Sequence, residues 1–294
     1  MQVYSHPLFF TQGAQFPGRE HPWRLDHCKE ILHNAEQVFT SGDEQDADLL
    51  KRILSLHDYL EDLHFEEKRG YTFIDEEEET YVNRLSYKTA IAAASTSIYA
   101  AEARGFALVR PPGHHAHKSY THGYCLLNNM AIATKQLLEN GERVLVLDLD
   151  VHHGCGTEEL LEAEKNAFMI SIYQKDIWPK DPHYVYADNC LHLPLEGRVR
   201  DKEYLETFHK EVVPVIESFQ PSIIGVSLGL DTFDDEQFSW HLTTHSIREI
   251  RKTLKKYQIF GVLEGGYEAE NVKQGIEAFL EDPSHRIRFV YTPK

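Results

Sequence analysis

Short apolar runs recur along the chain at 106–110 (FALVR), 143–150 (RVLVLDLD), 167–173 (AFMISIY), 222–231 (SIIGVSLGLD) and 258–263 (QIFGVL). Segments of helical period lie between them, at 87–104, 126–140, 203–218 and 244–257. A run that is apolar at nearly every position is buried on both faces, and strands alternating with amphipathic helices build a parallel sheet covered on both sides. The alternation therefore predicts an α/β fold. In such sheets ligands bind beyond the carboxyl ends of the strands, so the residues just after each run carry the functional information.

Those exits are polar. VLDLDVHHGCG (146–156) places Asp148, Asp150 and His152 at every second position. Side chains in a strand alternate faces, so the three would share one face, each about 7 Å from the next. A lone DxH pair is also what a strand-end carboxylate capping the next helix produces. The other exits add to it. SIIGVSLGLD ends in Asp231, and FALVR leads into PPGHHAH, with His114 and His115 on a proline-stiffened loop. QIFGVL leads into EGGY, where two glycines permit a tight turn that presents Tyr267. Asp150, His152 and Asp231 would make an Asp-His-Asp zinc site with open positions for water and a carbonyl. A histidine beside it would carry a proton from water to a leaving amine, and a tyrosine would donate to the developing oxyanion. Such a set suits amide hydrolysis.

The 294-residue chain is 41% hydrophobic, enough for a sizeable core. It shows no repeat, low-complexity linker or composition break, so one domain over 1–294 is expected. No run approaches 18 apolar residues, so no membrane span is expected. MQVYSHPLFF lacks the basic and small-residue features of a secretory leader. Four cysteines (Cys28, Cys125, Cys155 and Cys190) without CxxC spacing fit a reducing compartment, and the expected location is cytoplasmic. A formal charge of −17 argues against nucleic acid as a partner and favours a neutral or cationic one.

In this order, RPPGHHA (110–116), GYCLLNN (123–129), LDLDVHHGCGT (147–157), SLGLDTF (227–233) and LEGGY (263–267) resemble the motifs of the zinc-dependent histone deacetylase and acetylpolyamine amidohydrolase family. HPWRLDHCKEIL (21–32) and SLHDYL (55–60) resemble its N-terminal part, so the resemblance covers nearly the whole chain. It implies the arginase–deacetylase fold, one domain with a central eight-stranded parallel sheet flanked by helices on both faces. Carried over by position, it implies Asp150, His152 and Asp231 as zinc ligands and His115 as general base and acid. His114 would be the electrostatic partner, oriented by Asp148, and Tyr267 would polarise the scissile carbonyl. The carbonyl of Gly123 would accept the substrate amide N–H, and Tyr124 and Trp178 would wall the acyl channel. A structural monovalent cation, usually potassium, is implied on oxygens of Asp148, Asp150, His152, Ser171 and Ile172. A site with two carboxylates also accepts ferrous iron or cobalt.

Three positions depart from the family pattern. Cys155 stands where Asn or Asp usually orients the second histidine, and a thiol is a poor hydrogen-bond partner. Tyr173 stands where SxH is common, and DTFDDEQFSW (231–240) lacks the frequent Asp-Pro-Leu. SLGLDTF followed by FSW and LTT is similar to the acetylpolyamine branch, which implies an acetylated polyamine as small-molecule substrate. The remaining ammonium groups would need carboxylates at the rim, from Asp75–Glu79 or Asp234–Glu236, with Glu79 the candidate. The alternatives are a protein lysine deacetylase and a non-catalytic acyl-amine binding protein. The intact ligand set, histidine pair and Tyr267 oppose the last. About fifty residues separate SLHDYL from RPPGHHA, little room for the long insertion by which some acetylpolyamine relatives dimerise, and a monomer or homodimer is expected.

Overall fold

The structure is a computed structural model. It describes the chain except for residues 12–18, 29–35, 40–45, 64–71, 76–79, 180–184, 235, 237, 239, 281–286 and 292–294. The strands are β1 (Val3–Ser5), β2 (Glu36–Phe39), the small hairpin β3 (Thr72–Phe73) and β4 (Tyr81–Val82), then β5 (Phe106–Ala107), β6 (Val144–Asp148), β7 (Ala167–Gln174), β8 (Cys190–Leu195), β9 (Ile223–Leu228), β10 (Ile259–Leu263) and β11 (Ile287–Tyr291). Outside the hairpin, nine strands pair in one sheet, in the order β2-β11-β1-β5-β10-β9-β6-β7-β8. Every pairing in it is parallel. The sheet thus has the expected parallel architecture, with nine strands among the described residues rather than eight.

The five apolar runs form β5, β6, β7, β9 and β10. Strands β6, β9 and β10 are buried at every position, which is why they read as continuous apolar sequence. The helices are α1 (Ala47–Leu56), α2 (Ser86–Glu102), α3 (Asn129–Glu139), α4 (Cys155–Leu161), α5 (Asp201–Thr207), α6 (Val213–Phe219), α7 (Thr244–Thr253) and α8 (Ala269–Leu280). Their starts are written locally. Asp46 caps α1 by accepting from the amides of Asp48 and Leu49 at 3.0 Å, and Asn128 caps α3 by accepting from Ala131 N at 2.9 Å; such caps contribute about 1 kcal/mol each. Helix α2 is rich in alanine and serine and buried along most of its length, and small side chains let it lie close against α3, β5 and β10. No helix among the described residues is long and apolar enough to cross a membrane.

One consequence of the strand order positions the site. Strands β5, β10, β9 and β6 are consecutive across the sheet although far apart in sequence. Their carboxyl ends, which carry the polar exits, therefore open side by side.

Candidate active site

Strand β6 ends at Asp148, so Asp150 and His152 are not part of a continued pleat. The chain instead descends through two stacked turns closed by carboxylates. Asp148 Oδ1 accepts from Asp150 N at 3.1 Å, and Asp150 Oδ1 accepts from His152 N at 2.9 Å. An aspartate bonding the amide two residues on is a favoured turn for this residue type, and the DxDxH spacing stacks the three side chains by this means.

Asp150, His152 and Asp231 converge. His152 Nδ1 lies 3.0 Å from Asp150 Oδ1 and 3.2 Å from Asp231 Oδ2. Each carboxylate is also held from behind: Asp150 Oδ2 accepts from Gly265 N at 2.9 Å, and Asp231 Oδ1 from Val151 N at 3.1 Å. A Cβ at position 265 would run into the carboxylate oxygens of both Asp231 and Asp150, so only glycine lets this turn approach. Asp231 Oδ2 is buried and receives no well-aligned hydrogen bond. Burial and the charge of Asp150 push the Asp231 carboxyl up to about 6, the mark of two buried carboxylates without enough positive charge between them. One ligand atom from each of the three residues lies within 4.8 Å of the others. Two carboxylate oxygens and one imidazole nitrogen are donors that fit a divalent ion of the zinc type.

The paired histidines stand beside this set. His114 Nδ1 is 3.1 Å from Asp148 Oδ2, and its Nε2 is 3.8 Å from Asp150 Oδ1. Burial opposes its charge, but Asp150 and Asp148 outweigh it and raise the imidazole to about 10. The ring of His115 lies 3.9 Å from that of His114, centroid to centroid. Burial first, and then the neighbouring imidazoles, hold His115 well below the usual histidine range. The pair thus splits into a cation and a neutral base. Cys155 Sγ sits 3.5 Å from His115 Nδ1, at the place where the family pattern has Asn or Asp.

These residues open into a cavity of about 270 Å³ whose walls include Tyr124, Trp178 and Tyr267. Trp178 packs edge-on to His115 at 4.7 Å, and Tyr124 edge-on to Tyr267 at 5.6 Å. Gly123 has φ +58, and a Cβ there would strike the Trp178 ring. Ser171 pairs with Asp148 across β6 and β7 and is buried, as is Ile172. Glu79 and the acidic run 76–79 lie outside the described residues. Glu236 is engaged, since its Oε1 accepts from the amides of Tyr267 and Glu268 at 2.9 Å.

Residues 18–282 match the histone deacetylase domain. The chain belongs to the histone deacetylase family. A probable deacetylase of Archaeoglobus fulgidus is 33% identical over 248 residues, covering 75% of this chain and 67% of that protein. Histone deacetylase 15 of Arabidopsis thaliana is 31% identical over 242 residues, 73% of this chain but 44% of that protein, so this chain spans less than half of that relative's length. Among solved structures, an acetylpolyamine aminohydrolase from Burkholderia pseudomallei superposes with TM-score 0.77 at 21% identity, over 98% of this chain and 100% of that one; at that identity the likeness speaks for the fold.

Several residues of this histone deacetylase domain escape a reading of local pattern. Arg24 is fully buried and donates to the carbonyls of Gly266 and Glu264 at 2.6 Å each. Its guanidinium also pairs with Glu20 and lies 4.7 Å over the Tyr267 ring. Glu20 is shared with Arg110, 2.6 Å away. Glu264 accepts from the amides of Gly113 and His114, at 2.7 and 3.2 Å, and so fixes the histidine loop. Phe238 stands edge-on to His152 at 4.6 Å and lines the cavity. Arg24 and Glu264 lie inside HPWRLDHCKEIL and LEGGY, so the motifs contained them, but nothing local distinguishes them from surface charges.

Proposed function

We propose that this chain is one deacetylase domain that removes acetyl groups from small acetylated polyamines. The observation that carries the reading is the cavity, walled by aromatic rings, that ends on Asp150 and His152 with the His114–His115 pair in its wall. The family is zinc-dependent, and Asp150, His152 and Asp231 are the residues that would hold the ion. Bound there, a zinc ion supplies Lewis-acid polarisation of the scissile carbonyl and lowers the pKa of the attacking water.

The chain's own groups do the rest. His115 accepts the proton of the water as its oxygen adds to the carbonyl carbon. It then delivers that proton to the amide nitrogen as the C–N bond breaks, releasing acetate and a free amine. His114, held by Asp148, keeps positive charge beside the developing anion, and Tyr267 donates a hydrogen bond to its oxygen. The Gly123 carbonyl accepts the amide N–H, while Tyr124 and Trp178 flank the alkyl chain and exclude water. A potassium ion on the oxygens of Asp148, Asp150, His152, Ser171 and Ile172 would stiffen the turns beneath the site.

A net charge of −17 favours a cationic substrate. One observation favours acetyl-lysine in a polypeptide instead: Arg19 also lines the cavity, and a guanidinium there repels the distal ammonium groups of a polyamine. Steady-state hydrolysis of acetylputrescine, acetylcadaverine, acetylspermidine and an acetyl-lysine peptide, with chelator and with added zinc, separates the readings. A polyamine deacetylase turns over the first three with the higher kcat/KM. Preference for the peptide transfers the assignment to lysine deacetylation, and no turnover of any substrate by zinc-loaded protein refutes both.

A further inference from the structure

A second group of metal-ligating side chains gathers around His115, which alone among them lines the cavity. Three imidazole nitrogens converge on one sulfur: Cys155 Sγ is 3.3 Å from His117 Nε2, 3.5 Å from His115 Nδ1 and 3.8 Å from His122 Nε2. All four residues are buried. A thiol offers one weak donor and a weak acceptor, too little to account for three rings gathered around it.

The spacing matches coordination. A tetrahedral ion with sulfur at about 2.3 Å and nitrogen at about 2.0–2.1 Å sets each sulfur–nitrogen edge at about 3.5 Å, the middle of the three distances observed. Ligand atoms from His115, His122 and Cys155 also lie within 4.8 Å of one another. His117 Nδ1 is bonded to the Glu159 carboxylate, which holds its Nε2 against the same sulfur. Aromatic faces close the box: Tyr120 stacks on His117 at 4.3 Å, and Trp178 lies 4.7 Å from His122.

We infer that Cys155, His115 and His122 form a second, inhibitory site for a thiophilic divalent transition ion such as zinc or cobalt, with water completing its coordination. On binding, the thiol loses its proton to the buffer and the thiolate takes the ion. The lone pair of His115 Nδ1 is then committed to the metal, so the one ring proton must reside on Nε2. With Nδ1 turned to the sulfur, Nε2 is the nitrogen left to serve as the base, and carrying a proton it can no longer accept one from water. The first ion would serve the reaction and the second would stop it. Only this inhibitory consequence rests on the function proposed above; the binding site does not.

Cobalt(II) titration of the metal-free protein tests the site directly. Asp150, His152 and Asp231 supply no sulfur, whereas the second site does, so a thiolate-to-cobalt charge-transfer band in the near ultraviolet reports it alone. Wild type is expected to bind about two cobalt ions per chain and to show the band. Cys155→Ala should bind about one and lose the band, and that remaining ion shows that the variant is folded. His122→Gln should weaken the band, while Cys125→Ala, which removes the other sulfur near His115, should keep it. A single ion without the band in wild type, or a band that persists in Cys155→Ala, overturns the site. In the kinetic arm, a second equivalent of zinc should lower kcat about tenfold or more in wild type and leave Cys155→Asn insensitive to it. Equal inhibition of both proteins overturns the inhibitory role. Should neither hydrolyse any acetylated amine at one equivalent, the proposed function fails while the cobalt band still decides the site.

Discussion

Replacing Arg24 by methionine removes a guanidinium that binds two carbonyls of the 264–266 turn and lies beneath the Tyr267 ring. Glu20 keeps Arg110 as partner, so the substitution leaves no carboxylate buried without a cation. What is lost, besides the ion pair with Glu20, is a pair of charge-assisted hydrogen bonds to carbonyls, worth about 1.5–3 kcal/mol each. Methionine retains much of the buried stem, so about 4 kcal/mol is expected in sum. Unfolding entropy of about 2.1 cal/mol/K per residue over 294 residues gives about 0.6 kcal/mol/K, so Tm should fall by about 7 °C. The released turn also carries Gly265 N, the donor to Asp150 Oδ2, and Tyr267 itself. A displacement of about 1 Å at such groups costs about a hundredfold in rate. Calorimetry in excess zinc and steady-state kinetics on the best acetylated substrate measure the two effects. A variant that melts within about 1 °C of wild type and keeps kcat within about twofold refutes the claim that Arg24 holds this turn.

Gly265→Ala should abolish tight zinc binding while leaving the fold intact, because the new methyl group meets the carboxylates of Asp150 and Asp231; zinc retained at one equivalent after dialysis would contradict this. Cys155→Asn should raise kcat about tenfold at one equivalent of zinc, since an amide oxygen accepts from His115 Nδ1–H better than sulfur does, and unchanged or reduced turnover would count against the thiol as the weaker partner. His57 is buried and neutral, with Nε2 accepting from Asn128 N at 3.0 Å and Nδ1 donating to the His117 carbonyl at 2.8 Å; burial lowers it from 6.5 to about 4. The unfolded chain therefore takes up the proton first, so this stabilisation is complete above pH 6.5 and is lost as the pH falls toward 4, about 3 kcal/mol in all. Urea unfolding of wild type and His57→Gln across that range should show a shallower acid loss in the variant, and parallel curves would dismiss the assignment. Exchanging potassium chloride for choline chloride should lower Tm if a monovalent cation sits beside Asp148 and Ser171, whereas identical melting would remove it from the proposed site.

Legibility from sequence followed burial. The runs that became β5, β6, β7, β9 and β10 are apolar because helices cover both faces of the central strands. Strand β8 is half-exposed along most of its length and reads as mixed polar sequence, and β1 is too short to show a period. The exits could be named from the sequence because metal ligands and paired histidines are rare after apolar runs. Their adjacency could not, since it depends on β10 and β9 returning to lie between β5 and β6. The alternation Asp148, Asp150, His152 looks like one face of a strand, yet its geometry comes from side-chain-closed turns beyond the strand end. Long-range polar contacts left no local trace: Arg24 with Glu264, or His122 with Cys155, are single charged or titratable residues until the fold brings them together.

The bonds from Arg24 to Gly266 and Glu264 join positions 242 and 240 residues apart. A growing chain that has passed Asp231 already holds Asp150, His152 and Asp231, but the Tyr267 turn and the guanidinium's acceptors do not exist until β10 (Ile259–Leu263) has been made. During synthesis, the three ligands would therefore be present before the turn that braces Asp150 and carries Tyr267, so tight metal binding and catalytic competence would arrive together.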